Sequence, residues 1–423
     1  MDHYEVLGVE RDADEATIKR AWARMVRQHP PDQDPEGNRR LNEAKATLLD
    51  ARARADFDAR SQYGDEIDAL FGEGIEARNE EDWPVAIRAF KEILALHPAS
   101  LDARNMLGIS LCGAGRYAES VAQYERLLKE APDSALYMAN IAVTHEAWGD
   151  SFEDEAQQNG CYLEAERWVK RAIEAEPFNS AHYRQLARLH RLQGRMAEAE
   201  AALEAGIGAD GKADVGDIDT MMDLAWLMLF QNQPAKLEAV ADRILGVLPP
   251  EEEAREYASH LFLRNAAQLM EDDYLEPAFY FVRASRRIAP NLGEHEEWAT
   301  QIETWYMARS EARRMMEDES IQPKAFVLLA GALVDRRTGV DLSDEIFQNL
   351  SEAVESWGQD ENMRAARMIR HRYPLVARIT EDLLDSAPQM GQPTPSKIAK
   401  SSGGCLIPTA LFLSLLLFTL FFL

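Results

Sequence analysis

Seven residues near the amino end carry the chain's clearest recognition chemistry. Arg20, Arg24 and Arg27 recur at helical spacing, so one helix face presents three guanidinium groups. His29, Pro30, Pro31 and Asp32 follow at once, in the stretch RQHPPDQDPEG. An imidazole offers one donor and one acceptor, and an aspartate an anionic acceptor. Such groups suit docking onto another protein. Covalent catalysis would instead need a nucleophile held beside its base.

A second basic row lies in the middle of the chain. Arg184, Arg188 and Arg191 stand on the flank of a packing face formed by Tyr183, Leu186, Ala187 and His190. That row suits an acidic peptide or a terminal carboxylate, and equally suits salt bridges to neighbours such as Glu198 and Glu200. Asn105 and Asn140 occupy near-equivalent helix positions and are candidates to clamp a bound backbone. The run ADGKADVGDID, 209–219, has spaced carboxylates without calcium-loop spacing, and reads as helix capping. There is no His-Glu-x-x-His, phosphate loop, nucleophile elbow or Cys-x-x-Cys. The expectation is a non-enzyme with neither cofactor nor metal.

The bulk composition agrees. With 46 Lys plus Arg against 73 Asp plus Glu in 423 residues, the net charge is −27. That charge repels phosphate backbones, so no nucleic-acid partner is expected. Cys112, Cys161 and Cys405 lack metal spacing and read as reduced thiols. The start, MDHYEVLGVERDADE, has no apolar run and is not a signal peptide. Residues 405–423, CLIPTALFLSLLLFTLFFL, are 19 residues without a charge, close to the ~20 needed to span a bilayer. Lys397 and Lys400 precede them. The expectation is a single-pass, tail-anchored protein whose body lies in the cytoplasm, with Cys405 a candidate for a lipid chain.

No alternation of strand type appears, and the fold class is all-α. Residues 1–62 form a compact helical unit, 65–290 repeat, 291–385 form a helical cap, and 386–404 a flexible linker. As a coil, 19 linker residues would reach ~25 Å. The repeat has a period of 34: Gly74 recurs as Gly108, Ala86 as Ser120, Phe90 as Tyr124 and Pro98 as Pro132. The small residue lets paired helices approach, the aromatic fills the gap between neighbouring pairs, and the proline ends a helix. Pro177 closes a third copy stretched by 11 residues, with GDSFEDEAQQNG between its helices. A fourth holds Ala187 and Ala199 at its small positions, while Pro249 and Pro290 close a fifth and sixth. This zone resembles tetratricopeptide repeats. About six stacked pairs imply a solenoid with a groove for a protein or peptide ligand.

In the first unit, Asp12 and Glu15 have capping-box spacing. Ile18, Trp22, Met25 and His29 share one stripe opposite the arginines, and Leu41, Ala44, Leu48 and Leu49 line a third helix before a short fourth. With YEVLGV, a basic second helix, LNEAKATL and ADFDA in order, residues 2–60 resemble a J-domain. The resemblance implies docking of the basic helix and a His-Pro-Asp loop onto a DnaK-type chaperone, whose ATPase they trigger. Here the loop departs from the pattern. The preferred ungapped register places Pro30, Pro31 and Asp32 on the tripeptide, with His29 one residue early in a core position. The alternative keeps His29 and Pro30 and puts Pro31 in place of Asp. Either way one polar member is lost, and a lost contact at a docking centre costs about 2–5 kcal/mol. The fold is expected to persist and the stimulation to fail. Three readings stay open: an adaptor, a working co-chaperone, and a scaffold for a membrane or envelope complex.

Overall fold

The computed structural model describes residues 2–391. The expected span at 405–423, Cys405 and most of the expected linker lie outside the described residues. Among the described residues no helix is long and apolar enough to cross a membrane. Every regular element described is helical, and the chain divides into two compact units at Arg255/Glu256.

The first unit opens with α1 (His3–Leu7), α2 (Glu15–Gln28) and α3 (Pro35–Leu49). Tyr4, Leu7, Ile18, Ala21, Leu41, Ala44 and Leu48 are buried in one core, with Trp22, Met25 and Leu49 at its edge. The start of α2 differs from expectation. Asp14 caps it, its side chain accepting from the Thr17 N–H, because the helix begins at Glu15 and Asp12 lies outside capping range.

The short fourth helix is present up to a kink at Tyr63, beyond which the chain continues helical. Its residues form the front of α4, a 29-residue helix from Ala51 to Asn79 that bends at Tyr63 (φ −129°, ψ 17°). Asp50 caps its start, and no proline interrupts it before the turn at Glu80. One helix thus serves two cores. On the early side Arg54 donates to the Tyr4 hydroxyl at 2.9 Å and to the Ala13 carbonyl at 2.9 Å. On the other, Ala59, Tyr63 and Ile67 pack with Phe90 and Ile93.

Helical pairs follow: α5 (Trp83–Leu96) closes a pair with the second half of α4, then α6 (Leu101–Gly113) with α7 (Tyr117–Glu130). Next come α8 (Ala135–Asp150) with α9 (Glu155–Ala175), and α10 (Ser180–Leu192) with α11 (Met196–Gly206). The pair α12 (Ile218–Phe230) and α13 (Pro234–Val247) ends before Pro249. The third pair departs from the expected long polar loop. Glu155–Gly160 begin α9, which reaches 21 residues with Asp154 as its cap. The inserted residues therefore lengthen helices.

The aromatics pack toward the next pair as expected, Phe90 with Leu107 and Tyr124 with Ile141, and they do a second thing. Each ring lies over the small residue of its own pair. A Cβ on Gly74 would meet Phe90 at 2.7 Å, and one on Gly149 would meet Tyr162 at 2.8 Å. Only glycine allows rings this close to the facing backbone.

In the second unit, α14 (Glu252–Glu271) and α15 (Leu275–Ile288) are joined by Phe262 against Phe281, ring centres 5.8 Å apart. Beyond Pro290 come α16 (Glu296–Glu317), α17 (Lys324–Arg337), α18 (Asp344–Glu355), α19 (Gln359–Arg372), α20 (Pro374–Ile379) and α21 (Glu381–Ser386). The expected linker start is a correction. Ala387 is fully buried, and Asn362 donates to the Met390 carbonyl at 3.3 Å, so residues 386–390 complete this core.

Candidate functional site: a loop, an arginine face and a basic row

Helix α2 ends at Gln28, and His29 caps it with its N–H on the Met25 carbonyl. His29 does not fill the expected core position: its imidazole is half-exposed, with Nδ1 2.7 Å from Asp34 Oδ2. Asn38, itself buried, donates to the His29 carbonyl at 3.0 Å. Asp34 caps α3 through the Gly37 N–H at 2.8 Å. That N–H first, and then the His29 ring, hold the Asp34 carboxyl below the usual carboxylate range. The Pro30 carbonyl accepts from both Gln33 and Asp34. The loop is therefore anchored at His29 and Asp34. Pro31 and Asp32 face solvent, and Asp32 has no partner among the described residues.

Asp34 and Asn38 were not singled out from the sequence. A signal was present: Asp-Pro at a helix start, with Gly37 three residues past the cap. Arg20, Arg24 and Arg27 are all exposed. Arg20 touches only the Thr17 hydroxyl, at 3.2 Å, and among the described residues none of the three meets a carboxylate.

The middle arginines are different. Arg184 donates to Asp223 at 2.6 Å and lies 3.5 Å from Asp219, both on α12. Arg188 pairs with the buried Glu146 of α8. Arg191 lies over the Phe230 ring, 5.1 Å from its centre. Two of the three, Arg184 and Arg188, are ion-paired by acids on neighbouring helices, while Arg191 meets a ring. The expected partners are engaged elsewhere, Glu198 by Arg195 and Glu200 by Lys236. Asn140 donates to Asn105 at 3.1 Å, so the two amides hold α8 to α6. In 209–219 the capping reading is met: Asp214 accepts from Gly216, and Asp217 accepts from the Asp214 N–H.

A denser polar cluster lies nearby. Burial alone would push the Glu166 carboxyl up, but Lys170 and Arg195, both at 2.7 Å, hold it down at about 2. Glu146 shifts the other way: burial raises it and Arg188 only partly offsets the rise.

Comparison with known proteins agrees with this architecture. Residues 2–58 match the DnaJ domain, and residues 71–135 and 154–214 match the tetratricopeptide repeat. Among curated relatives, the chain is 42% identical over 69 residues to a chaperone protein DnaJ of Dictyoglomus thermophilum, 15% of this chain and 18% of that protein. It is 41% identical over 68 residues to a curved DNA-binding protein of Pseudomonas putida, 15% of this chain and 22% of that one. The chain thus spans about a fifth of the length of these relatives. Among solved structures it is similar to a thermophilic TPR protein of Thermus thermophilus (17% identity, 46% of this chain, 97% of that one, TM-score 0.35). A tetratricopeptide repeat protein of Parabacteroides merdae is also similar (13% identity, 67% of this chain, 97% of that one, TM-score 0.35). The molecule is an all-α protein with an N-terminal DnaJ domain followed by tetratricopeptide repeats.

Proposed function

We propose that this chain is a non-enzymatic, chaperone-linked adaptor. It holds a protein partner on its repeats and presents a J-domain face beside them. The observation that carries this reading is the continuous but kinked α4, whose first part makes the Tyr4 contacts and whose part from Ala59 onward packs into the first-repeat core. We read α12–α13 and α14–α15 as the fifth and sixth repeats, and α16–α21 as a helical cap. Because Pro30 stands on the histidine position and the His29 ring is tied to Asp34, stimulation of a DnaK-type ATPase is weak or lost. With Arg184 and Arg188 ion-paired inside the array, groove recognition falls to the helix faces as a whole. The uncharged stretch 405–423 supports attachment to a membrane with the body on its cytoplasmic side.

A second reading, a working co-chaperone, is favoured by the open arginine face of α2 and the free Asp32. Single-turnover ATP hydrolysis by a DnaK-type chaperone separates the two. The adaptor leaves the basal rate unchanged, whereas acceleration abolished by Asp32→Asn would establish the co-chaperone. For a scaffold, partner recovery would be stable and indifferent to nucleotide. Release of the full-length chain from membranes by a salt wash alone would remove the anchor.

A further inference from the structure

The second unit contains a cleft that the repeat and J-domain matches do not cover. Its volume is about 560 Å³, within the ~300–1,000 Å³ range of ligand pockets. Tyr257, His260, Leu261 and Arg264 line it from α14, at the i, i+3, i+4 and i+7 spacing of one helix face. His295 and Trp298 form the opposite wall. The two imidazoles meet edge to face, 5.3 Å between centres, and Tyr257 remains 64% exposed.

Arg264 is the one formally charged side chain of permanent sign in this lining. Several other arginines of the unit are tied down: Arg286 by Glu296 and Glu303, Arg337 by Asp382, Arg372 by Asp318. Arg264 is exposed and has no hydrogen-bond or ion-pair partner among the described residues. An unpaired guanidinium in a cleft lined by aromatic and imidazole rings is complementary to one chemistry. That chemistry is an apolar ring to fill the cleft and an adjacent carboxylate to take the fork of the guanidinium.

We infer that this cleft binds a segment of a partner protein in which an aromatic side chain stands next to Asp or Glu. Cleft size fits one or two side chains, and the aromatic walls offer stacking faces to a ring. The inference rests on the adaptor reading and adds to it a second contact, outside the matched repeats, with its own specificity.

The test uses the purified full-length chain and two capped dipeptides, Ac-Phe-Glu-NH2 and Ac-Phe-Gln-NH2, titrated by ligand-observed NMR. The Glu peptide should bind about two- to fivefold tighter, the range of an exposed ion pair. Arg264→Gln should abolish that discrimination, Arg264→Lys should retain part of it, and Trp298→Ala should weaken both peptides, with helicity checked by circular dichroism. Equal binding of the two peptides, or discrimination surviving in R264Q, overturns the inference. So does tighter binding of octanoate than of the Glu peptide, which would mark a lipid site, or self-association lost in R264Q, which would mark a second copy. Partner recovery from the repeats unaffected by R264Q, together with lost discrimination, would leave the adaptor reading intact and this site established.

Discussion

Gly108 of α6 and Tyr124 of α7 stand so close that a Cβ on Gly108 would come within 2.7 Å of the ring carbon Cζ. Tyr124 is 1% exposed, and burial pushes its hydroxyl well above the usual tyrosine range. The pair is the clearest physical meaning of the 34-residue period. A small residue on the first helix admits a ring from the second.

Gly108→Ala should therefore destabilise by about 1–3 kcal/mol through overpacking, despite alanine's better helix propensity. Gly160→Ala, where nothing lies within 4 Å of the new methyl, should stabilise by about 0.5–1 kcal/mol. Denaturant midpoints check both. Similar shifts at the two positions would mean the ring does not set the glycine requirement.

The shared helix predicts coupling between the J-domain and the first repeat. Ala59 and Tyr63 belong to the core of Phe90 and Ile93, and buried His97 lies 3.3 Å from Asp56. Deleting residues 2–62 should lower hydrogen-exchange protection in α5 and α6 while leaving α10 and α11 unchanged. Full protection in α5 would show two independent bodies.

Acid should loosen the α9–α11 region. The folded Glu166 carboxyl titrates at about 2, below its ordinary 4.5. Its contribution is present above the ordinary value and is lost as pH falls through about 2. Glu166→Gln should flatten the stability profile between about pH 4.5 and 2. Thermal melts across that window measure it, and an unchanged slope would discard the pairing with Lys170 and Arg195.

Glu146 carries the opposite sign. Its carboxyl is raised by burial, so its charged form opposes folding as pH rises, and Arg188 limits the loss. Arg188→Gln should destabilise at neutral pH by roughly 1–3 kcal/mol, because a buried charge is left unpaired. Glu146→Gln should cost less. Chemical denaturation of both variants gives the order, and a reversed order would refute it.

The route from sequence to site was uneven for identifiable reasons. Helix pairs, their closing prolines and the J-domain core follow from local periodicity, because side-chain spacing on a helix is set by 3.6 residues per turn. Helix capping by Asp214 and Asp217 was legible for the same reason. Ion-pair partners were not. Arg184 and Arg188 look like a free row in the chain, yet Asp223 lies 39 residues away and Glu146 lies 42 earlier. Only the stacking of α8, α10 and α12 brings them together.

What the linear order of residues determined by itself is therefore the element inventory: all-helical, a J-domain, then repeats read from Gly74 with Phe90 and Gly108 with Tyr124. Tertiary structure alone decided that α4 continues through a kink at Tyr63 from one core toward the next, that the half-exposed His29 meets Asp34, and that Arg264 lines the same cleft as Trp298. Short-range spacing sets which face of a helix is apolar. Which charge meets which depends on distances between helices that no local pattern encodes.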